Sequence, residues 1–578
     1  MTKYFPFHSP LIIAIFLLSR CFSVEAQIKT FKANESVTWE EAIEEYRELD
    51  YRFENTKLYE AGITDIGKPL YIFEIDERTG LSPREKKPIL FINNGIHPGE
   101  PCGIDASLKF AKDLLEQPTE EMKVWLRKVK IVIIPVYNVG GALNRGCCSR
   151  ANQAGPEAYG FRGNAKNLDL NRDFIKTDSK NAQSFAKIFR RINPHVFIDT
   201  HTSNGADYQY VMTMINSQPD KASRKMGEYV RKKMSPALYE SMDEKGFGMT
   251  PYVYTMKKIP DEGIKDFLET PRYSTGYAAL FGTIGFTSET HMLKPFAQRV
   301  ESTYQFLMST LNYMAVNQGD LIELKYKLQA DAARQKEFPL RWELDTTSYR
   351  MIPFKGFEAE YPKSEISGQP RLKYNQKKPF IKEIKYFDKY NVTKSVRAPE
   401  YYVIPQAWDE VINRLNATGV NIFRFERDTT INVEAYVIND FTTSSSVYEG
   451  HHPNTVNEMD TVRLEKKFYA GDVFLKVNQI TNRYIVETLE PEGMDSFFTW
   501  NFFDSAMQQK EWYSEYVFED FALDMLKKDK DLRNEFEAQK MADENFSNNP
   551  GAQLFWLYKR SPYFETTVNL YPVYRWNP

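Results

Sequence analysis

The most informative part of the chain is Pro88-Ile89-Leu90-Phe91-Ile92-Asn93-Asn94-Gly95-Ile96-His97-Pro98-Gly99-Glu100. Its apolar first part predicts a buried strand, and a His and a Glu follow three positions apart. Zinc accepts both side chains, and a catalytic zinc site takes three protein ligands and keeps one position open. The pair His97 and Glu100 therefore predicts part of a metal site at the end of a strand, with a third ligand elsewhere in the chain.

His201 is the candidate for the third ligand. It ends the string Asp199-Thr200-His201, which follows another apolar run, Val196-Phe197-Ile198. A single His near a strand end is more often a core or loop residue than a ligand. The chain has only seven His, however, and two of them stand where a His-x-x-Glu pair with a distant His requires them. This layout is typical of metallohydrolases.

Apolar strands and amphipathic helices alternate from residue 27 to about residue 318, which predicts an α/β domain with a mostly parallel or mixed sheet. The candidate strands are Leu90–Ile96, Val129–Tyr137, Val196–Thr200, Tyr208–Ile215 and Ile284–Thr287, and the candidate helices are Ile104–Leu115, Ala182–Arg191, Lys221–Met234 and Phe296–Val316. Sites in open α/β sheets lie beyond the carboxyl ends of strands. Because His97, His201 and Glu289 each follow such a run, we expect them to converge.

The second half of the chain has a different character. From about residue 340 to residue 500, short runs rich in Tyr, Val, Ile and Phe are broken by Gly, Asn, Asp and Pro, which predicts a β-rich structure. A helical stretch follows near Glu511–Lys540. We predict a first domain over 27–318, a linker over 319–345 and a β-rich α+β domain of unknown role over 346–578. The adjacent His451 and His452 lack a carboxylate at metal-binding spacing, which favours a surface loop.

The N-terminus has the features of a secretory signal peptide. Its apolar run, Leu11–Leu18, is too short to cross a bilayer, and Val24-Glu25-Ala26 offers small residues at the cleavage positions. We predict a signal peptide over 1–26, a mature chain without a membrane span, and export to the periplasm or the medium. A lipoprotein anchored through Cys21 is disfavoured, since Arg20 stands where a lipobox has a small residue.

Length, charge and cysteine content narrow the possibilities. With 578 residues the chain can form two or more domains, and its net charge of −3 carries no basic excess, which argues against a nucleic-acid partner. Beyond the predicted signal peptide, Cys102, Cys147 and Cys148 remain. One disulfide can form among them, for example from Cys102 to one of the vicinal pair. A zinc–thiolate site is disfavoured, because no Cys-x-x-Cys spacing exists.

Two further segments carry residue types suited to a substrate and to catalysis. The string Leu168-Asp169-Leu170-Asn171-Arg172-Asp173-Phe174 follows Arg162, and Arg binds carboxylates through two parallel hydrogen bonds. Surface arginines are the alternative interpretation. Glu289 ends the apolar strand that starts at Ile284, so its carboxylate can face a site and act as a general base on a metal-activated water. A salt-bridged Glu at a sheet edge is the alternative there.

These motifs together resemble the zinc carboxypeptidases of the M14 family, as in a secreted bacterial member of the carboxypeptidase A type. The order His-x-x-Glu, Arg, Asn-Arg, His, Tyr, Glu is the order of that family, and the resemblance covers about residues 38 to 318. It implies a mixed-sheet α/β catalytic domain of the phosphorylase/hydrolase-like fold for the first half of the chain, ahead of the β-rich α+β C-terminal domain that the composition of the second half predicts. It also implies one Zn²⁺ per chain as cofactor.

The resemblance implies a role for each matching residue. The zinc ligands are His97, Glu100 and His201; Asp169 holds a ligand imidazole from behind; Asn171 and Arg172 bind the C-terminal carboxylate of the substrate; Arg162 stabilises the oxyanion; Glu289 is the catalytic base. The family also uses a mobile Tyr, for which we prefer Tyr273, with Tyr277 as the second residue facing the substrate. His291 departs from the pattern of digestive members, and we expect a structural role for it.

The implied activity is that of an exported zinc metallocarboxypeptidase that hydrolyses the C-terminal peptide bond of a peptide with a free carboxylate. Two alternatives keep the metal and change the substrate: an amidase or carboxypeptidase acting on peptidoglycan stem peptides, and a deacylase of N-acyl amino acids. A third alternative is a binding protein with reduced catalysis, in which the aromatic-rich second half binds glycans or proteins.

Overall fold

The computed structural model of the chain describes residues 31–77 and 86–578, so the predicted signal peptide, residues 1–26, lies outside the described part. In the described ranges, none of the helices combines the length and the apolar character needed to cross a membrane.

The strands β1 to β20 are, in chain order, Thr56–Ile63, Pro69–Ile75, Ile89–Asn93, Lys130–Ile134, Val196–Ser203, Met212–Asn216, Thr250–Pro251, Tyr254–Thr255, Ile264–Lys265, Ile284–His291, Glu337–Leu344, Arg350–Glu360, Lys373–Phe387, Tyr390–Arg397, Tyr401–Ile404, Phe423–Arg424, Thr429–Thr443, Asn454–Phe468, Val473–Lys476 and Tyr574–Trp576. The helices α1 to α16 are Trp39–Arg52, Cys102–Glu116, Glu120–Lys128, Val139–Leu143, Lys180–Ile192, Arg224–Tyr229, Ser235–Glu244, Ser274–Leu280, Phe296–Val316, Gln318–Arg334, Asp409–Ala417, Asn482–Leu489, Glu515–Lys528, Lys530–Ala542, Glu544–Ser547 and Pro550–Tyr558.

The first half of the chain is built around an eight-stranded mixed sheet with the order β1-β2-β4-β3-β5-β10-β6-β7. Its four central strands, β4, β3, β5 and β10, run parallel to one another, while β2 and β6 join them antiparallel on either side. The central strands are buried along nearly their whole length, as expected for strands covered by helices on both faces. The predicted α/β fold with a mixed sheet is confirmed.

Each face of the sheet packs against its own helices. Successive residues of a strand point to opposite faces, so Leu90 and Ile92 of β3 join one core while Phe91 joins the other. The first core includes Phe110 of α2 and Phe306 of α9. Because alternate residues of a central strand enter cores on opposite faces of the sheet, a short run of consecutive apolar residues can form the middle of this sheet.

The second core contains residues from both halves of the chain. Phe185 and Phe189 of α5 pack on the sheet, and Phe281 after α8 stacks on Tyr484 of α12, with ring centroids 5.7 Å apart. A sheet also crosses the predicted boundary, since Tyr386 of β13 pairs with Ile264 of β9. The two predicted domains therefore share hydrophobic core and backbone hydrogen bonds.

The segment 319–345, predicted as a linker, is instead regular structure. It contains most of α10 and the whole of β11. The Lys325 ammonium on α10 is buried and donates hydrogen bonds to the carbonyls of Pro194 and Phe281 and to the Thr283 hydroxyl. α10 has one apolar side, which buries Leu321 among the core residues, so this charged stretch is a packed helix and not a polar connection.

The remainder of the chain is β-rich with added helices, as predicted. A six-stranded sheet has the order β16-β19-β15-β20-β17-β18, and β17 and β18 form a long hairpin. The helical stretch predicted near Glu511–Lys540 is split into α13 and α14 at Asp529, whose side chain caps α14 by accepting hydrogen bonds from its first backbone amides.

The disulfide given as an example, from Cys102 to one of the vicinal cysteines, is not the one that forms. Cys147 and Cys148 are bonded to each other, and Cys102 forms no disulfide within the described part of the chain. Cys102 begins α2 and is buried beneath the sheet, where its Sγ lies 3.2 Å from the hydroxyls of Thr202 and Thr290. Its position inside the core separates it from the surface turn that carries the vicinal pair.

His291 and His451 both form hydrogen bonds or ion pairs with residues distant in sequence. His291 is buried, its Nε2 lies 2.9 Å from the Ala206 carbonyl oxygen, and its ring meets that of Tyr208 edge to face, in line with the structural role expected for it. His451 does have a carboxylate partner, Asp178 of the first half, at 2.8 Å. Sequence spacing could not reveal this pair, because the two residues lie in different halves of the chain.

Candidate active site

The three predicted metal ligands meet at one end of the central sheet. His97 and Glu100 lie in the loop after β3, and His201 lies within β5, which pairs with β3 in parallel. One ligand atom from each residue lies within 4.8 Å of the others, and all three residues are only 3 % exposed. Because neighbouring parallel strands end at the same edge, residues about a hundred positions apart converge here.

The hydrogen bonds of the two imidazoles fit a metal site. His97 Nε2 lies 2.9 Å from Asp169 Oδ1, and His201 Nε2 lies 2.9 Å from Asp199 Oδ2. A carboxylate only accepts, so each Nε2 carries a proton, and each Nδ1 is directed toward Glu100, whose Oε2 lies 3.1 Å from His201 Nδ1. Among the residues that the structure describes, His97 Nδ1 is buried without a hydrogen-bond partner. Metal-bound histidines characteristically show this arrangement, so the residues present fit a zinc ion.

Asp169 is held by several groups at once. Arg162 donates to its Oδ2 from Nη2 at 2.8 Å, and the Asn171 amide donates to its Oδ1. Burial raises the pKa of Asp169, but His97, Arg162 and Arg172 more than offset this and hold the pKa well below its usual range. The predicted partner of a ligand imidazole is therefore an ionised carboxylate.

Glu289 faces the ligands from the next strand. In the parallel pairing of β10 with β5, Glu289 is the register partner of His201. Burial raises the pKa of the Glu289 carboxyl to about 7; Glu100 raises it as well, and His201 and His97 oppose them. A carboxyl with a pKa near neutrality suits proton transfer at physiological pH.

These groups open into one cavity of about 550 Å³. Eight of the predicted site residues line it: His97, Glu100, Arg162, Asn171, Arg172, His201, Tyr273 and Glu289. The cavity therefore combines a ligand set for a metal, a candidate base and a cluster of arginines, which together can polarise and hydrolyse a carbonyl compound that carries a negative charge.

Comparison with known proteins agrees with this geometry. Residues 45–272 match the Peptidase_M14 family, described as zinc carboxypeptidase. This region of the chain is a zinc carboxypeptidase domain of the M14 family. The predicted family, the fold class and the assignment of the chain as a hydrolase of the exopeptidase type are thereby confirmed.

The relatives are distant. The chain is 22 % identical over 436 residues to Carboxypeptidase 2 of Trichophyton tonsurans, covering 72 % of this chain and 74 % of the relative. Carboxypeptidase 2 of Trichophyton rubrum is also 22 % identical, over 442 residues, with the same coverage. Among solved structures, a metallo-carboxypeptidase from Burkholderia cenocepacia has a TM-score of 0.37 and 14 % identity, over 50 % of this chain and 70 % of that chain.

Within the M14 domain, the segment around Asn171 presents Arg172 to the cavity. Asp169 caps a short 3₁₀ helix, Leu170–Arg172. Asn171 Oδ1 accepts a hydrogen bond from the Ser274 amide at 3.0 Å, which ties this segment to the start of α8. The Arg172 guanidinium lies over the ring of Tyr273, 4.4 Å from its centroid.

Tyr277 is not part of the site, and its prediction as a substrate-binding residue is corrected. It is 1 % exposed and packs against Phe174, Phe189 and Phe281 in the second core. Tyr273 precedes α8 and Tyr277 lies one helical turn later. Tyr273, which lies just before the helix, lines the cavity, whereas Tyr277, which lies within the helix, points into the core.

Arg150 belongs to the cavity, although the sequence analysis did not single it out. It donates from Nη1 to Glu100 Oε1 at 2.7 Å and from Nη2 to the Thr202 carbonyl at 2.8 Å. It follows the disulfide-bonded pair Cys147–Cys148 in a surface turn. A single Arg in a loop, outside any recognisable motif, does not indicate a functional role in the sequence.

The second half of the chain also reaches the M14 site. In the turn of the β17–β18 hairpin, the Tyr448 hydroxyl accepts a hydrogen bond from Arg172 Nε at 3.0 Å. The neighbouring Glu449 accepts one from the Asp169 amide at 2.7 Å. These contacts join residues more than 270 positions apart, a separation that no local pattern reveals.

Proposed function

We propose that the chain is an exported zinc carboxypeptidase that removes the last residue from peptides ending in a free carboxylate. The observation that carries this proposal is the shared cavity: the metal-ligand set, Glu289 and Arg172 all line it. Family membership supports the reaction class, and the arrangement of the arginines supports the preference for a terminal carboxylate.

His97, Glu100 and His201 would hold the zinc ion. When bound, zinc acts as a Lewis acid that polarises a carbonyl and makes water a better nucleophile. Asp169 and Asp199 fix the tautomer and orientation of the two imidazoles.

Glu289 would move the proton. Its carboxylate accepts a proton from the attacking water, and the resulting carboxylic acid donates that proton to the leaving amine as the peptide bond breaks. The pKa of about 7 for this buried carboxyl matches both roles near neutral pH.

Arg162 and Arg172 would bind different parts of the substrate. Arg162, which contacts Glu100 and Asp169, stabilises the negative oxygen that develops on the scissile carbonyl, an effect of about 2.7–4 kcal/mol for one such donor in other enzymes. Arg172 and Asn171 bind the terminal carboxylate of the substrate. Cleavage is then confined to the last bond, because only that bond places a carboxylate at Arg172.

The sequence of residues 1–26 supports export, and an exported enzyme meets extracellular peptides and peptidoglycan stem peptides. Sequencing the N-terminus of the protein recovered outside the cytoplasm tests this part, and a mature chain starting near Gln27 is expected. An unprocessed chain found only in the cytoplasm would contradict it.

The activity is tested with pairs of N-blocked peptides that differ only in a free or an amidated C-terminus. The zinc-loaded protein should hydrolyse the free-carboxylate member and leave the amidated member almost untouched. Muropeptides and N-acyl amino acids are assayed beside them. Equal hydrolysis of both members, or turnover of N-acyl amino acids alone, would contradict the proposal.

A further inference from the structure

The hairpin formed by β12 and β13 extends beyond the rest of its sheet. The two strands pair with each other out to Glu360 and Lys373. The other neighbour of β13 is β9, which pairs with it only at Tyr386 and Phe387, at the base of the hairpin. Among the described residues, no further strand pairs with the hairpin toward its end, and residues 361–378, here named the hairpin tip, are mostly exposed.

The hairpin tip holds an apolar side chain out in solvent on an ordered turn. The amides of Ile366 and Ser367 donate hydrogen bonds to Ser364 Oγ. The Ile366 side chain is nonetheless 100 % exposed, and Tyr361 and Leu372 are 50 % and 39 % exposed. A single exposed apolar residue is common on protein surfaces, but three of them at the end of one hairpin indicate a contact surface.

The hairpin tip is also strongly cationic. It contains five Lys and Arg side chains and a single carboxylate, Glu365, in a chain whose net charge is −3. Lys378 pairs with Glu360. Within the part of the chain that the structure describes, no carboxylate lies at ion-pair distance from the other four cations, which are Lys363, Arg371, Lys373 and Lys377. Unpaired cations beside exposed apolar side chains match a surface that carries negative charges above an apolar layer.

We propose that the hairpin tip binds the surface of a lipid bilayer that contains anionic lipids. Its cations contact the headgroup phosphates, and Ile366 and Leu372 enter the boundary between headgroups and acyl chains. Tyr361 lies at the level of the headgroups, where tyrosine is enriched. A soluble polyanion fits less well, because it would pair with the cations and leave the apolar side chains in water. The proposal does not depend on the reaction that the protein catalyses.

Ordered contacts connect the hairpin to the chain segment that borders the cavity. Gln376 of β13 donates a hydrogen bond to Asp207 Oδ2 at 2.7 Å, and Gln209 Nε2 donates to the Gly356 carbonyl at 2.9 Å. Asp207 and Gln209 lie in the loop after β5, which begins with the cavity residue Asn204. A bilayer bound at the hairpin tip would therefore be attached to the catalytic half of the chain through ordered structure.

The test measures cosedimentation of the purified protein with vesicles of phosphatidylcholine alone or with about one-third phosphatidylglycerol added. At ~0.1 M salt we expect the wild type to bind the anionic vesicles at least about a hundredfold more tightly, since each Lys or Arg near an anionic surface contributes about fivefold. Binding should weaken as the salt concentration rises to about 0.5 M, because salt screens these charges.

Two variants separate the apolar contribution from the cationic one. Ile366→Ser should weaken binding to the anionic vesicles about tenfold, because it removes the side chain that leaves water. Replacement of the four unpaired cations by glutamine should reduce the affinity to that for phosphatidylcholine alone. Both variants should keep the wild-type melting temperature, since the substituted side chains are exposed.

Each variant has a matched control elsewhere on the surface. Val316→Ser removes an exposed apolar side chain at the end of α9. The control for the cations places glutamine at four exposed lysines of other elements, which are Lys128, Lys187, Lys232 and Lys527. Both controls should bind the anionic vesicles nearly as tightly as the wild type.

Failure of the wild type to sediment with the anionic vesicles would overturn the inference and indicate a soluble partner. Wild-type affinity in a folded Ile366→Ser variant would also overturn it, because a soluble polyanion would then explain the binding equally well. An equal loss of binding in the two glutamine variants would show that overall charge, and not the hairpin tip, determines binding. None of these results affects the proposed function, which is measured on soluble peptides.

Discussion

For single residues, the hydrogen bonds of each side chain determine which of its atoms are directed toward the metal site. His97 and His201 both direct Nε2 to a carboxylate, which leaves Nδ1 of each for the centre of the site. The ligand triad was predictable, because the His-x-x-Glu spacing and the strand-end position constrain it strongly. Asp199 was not predicted as a partner of His201, although residues two apart on a strand share a face and their spacing indicates this contact.

Glu289→Gln should abolish most turnover while leaving metal binding intact. The amide is similar in shape to the carboxylate but does not accept a proton, and loss of a general base typically lowers kcat by about 10²- to 10⁴-fold. Steady-state kinetics and zinc content of the same preparation check this. Turnover equal to that of the wild type would show that another group accepts the proton.

Asp199→Asn should weaken zinc binding by about 10- to 100-fold, the usual effect of losing the partner of a metal-bound imidazole. Asp199 also accepts a hydrogen bond from the Ser274 hydroxyl, so the melting temperature of the variant must be measured in parallel. Competition with a chromophoric chelator gives the zinc affinity. An unchanged zinc affinity in a folded variant would show that Asp199 does not position the His201 imidazole for the metal.

At the scale of structural elements, parallel pairing of β3, β5 and β10 creates the site. The alternation of apolar strands with helices was enough to predict this arrangement, because strand ends in such sheets meet at one edge. Arg150 and the β17–β18 turn could not be predicted in the same way. Their contacts arise from loops, and loop contacts between distant segments leave no periodic pattern in the sequence.

The β17–β18 hairpin positions Arg172, and Tyr448→Phe tests this. The variant removes the hydroxyl that accepts from Arg172 Nε and keeps the aromatic ring. We expect KM for free-carboxylate peptides to rise about three- to tenfold, in keeping with the loss of one hydrogen bond to a charged group, while kcat changes little. A fall in kcat at constant KM would place Tyr448 in the chemical step instead.

At the scale of the whole molecule, the two predicted domains form one packing unit. The core that contains Phe281 and Tyr484 draws on both halves, and β13 continues a sheet that includes β9. The compositional change near residue 340 correctly indicated a β-rich second half. It could not show that α10 packs on the first half, since a helix with one apolar side resembles an exposed connection in sequence.

A shared core predicts cooperative unfolding. Residues 27–578 should unfold in a single calorimetric transition, because neither half can lose its structure without exposing the common core. Differential scanning calorimetry at two scan rates checks this. Two well-separated transitions would show that the halves are independent domains.

We propose that one zinc ion, held by His97, Glu100 and His201, serves a carboxypeptidase site. The test is to remove metal with a chelator and titrate zinc back while following the release of the last residue from a free-carboxylate peptide. We expect negligible activity in the metal-free protein and full recovery at one equivalent of zinc per chain. Full activity after complete metal removal, or no recovery at any zinc concentration in folded protein, would contradict it.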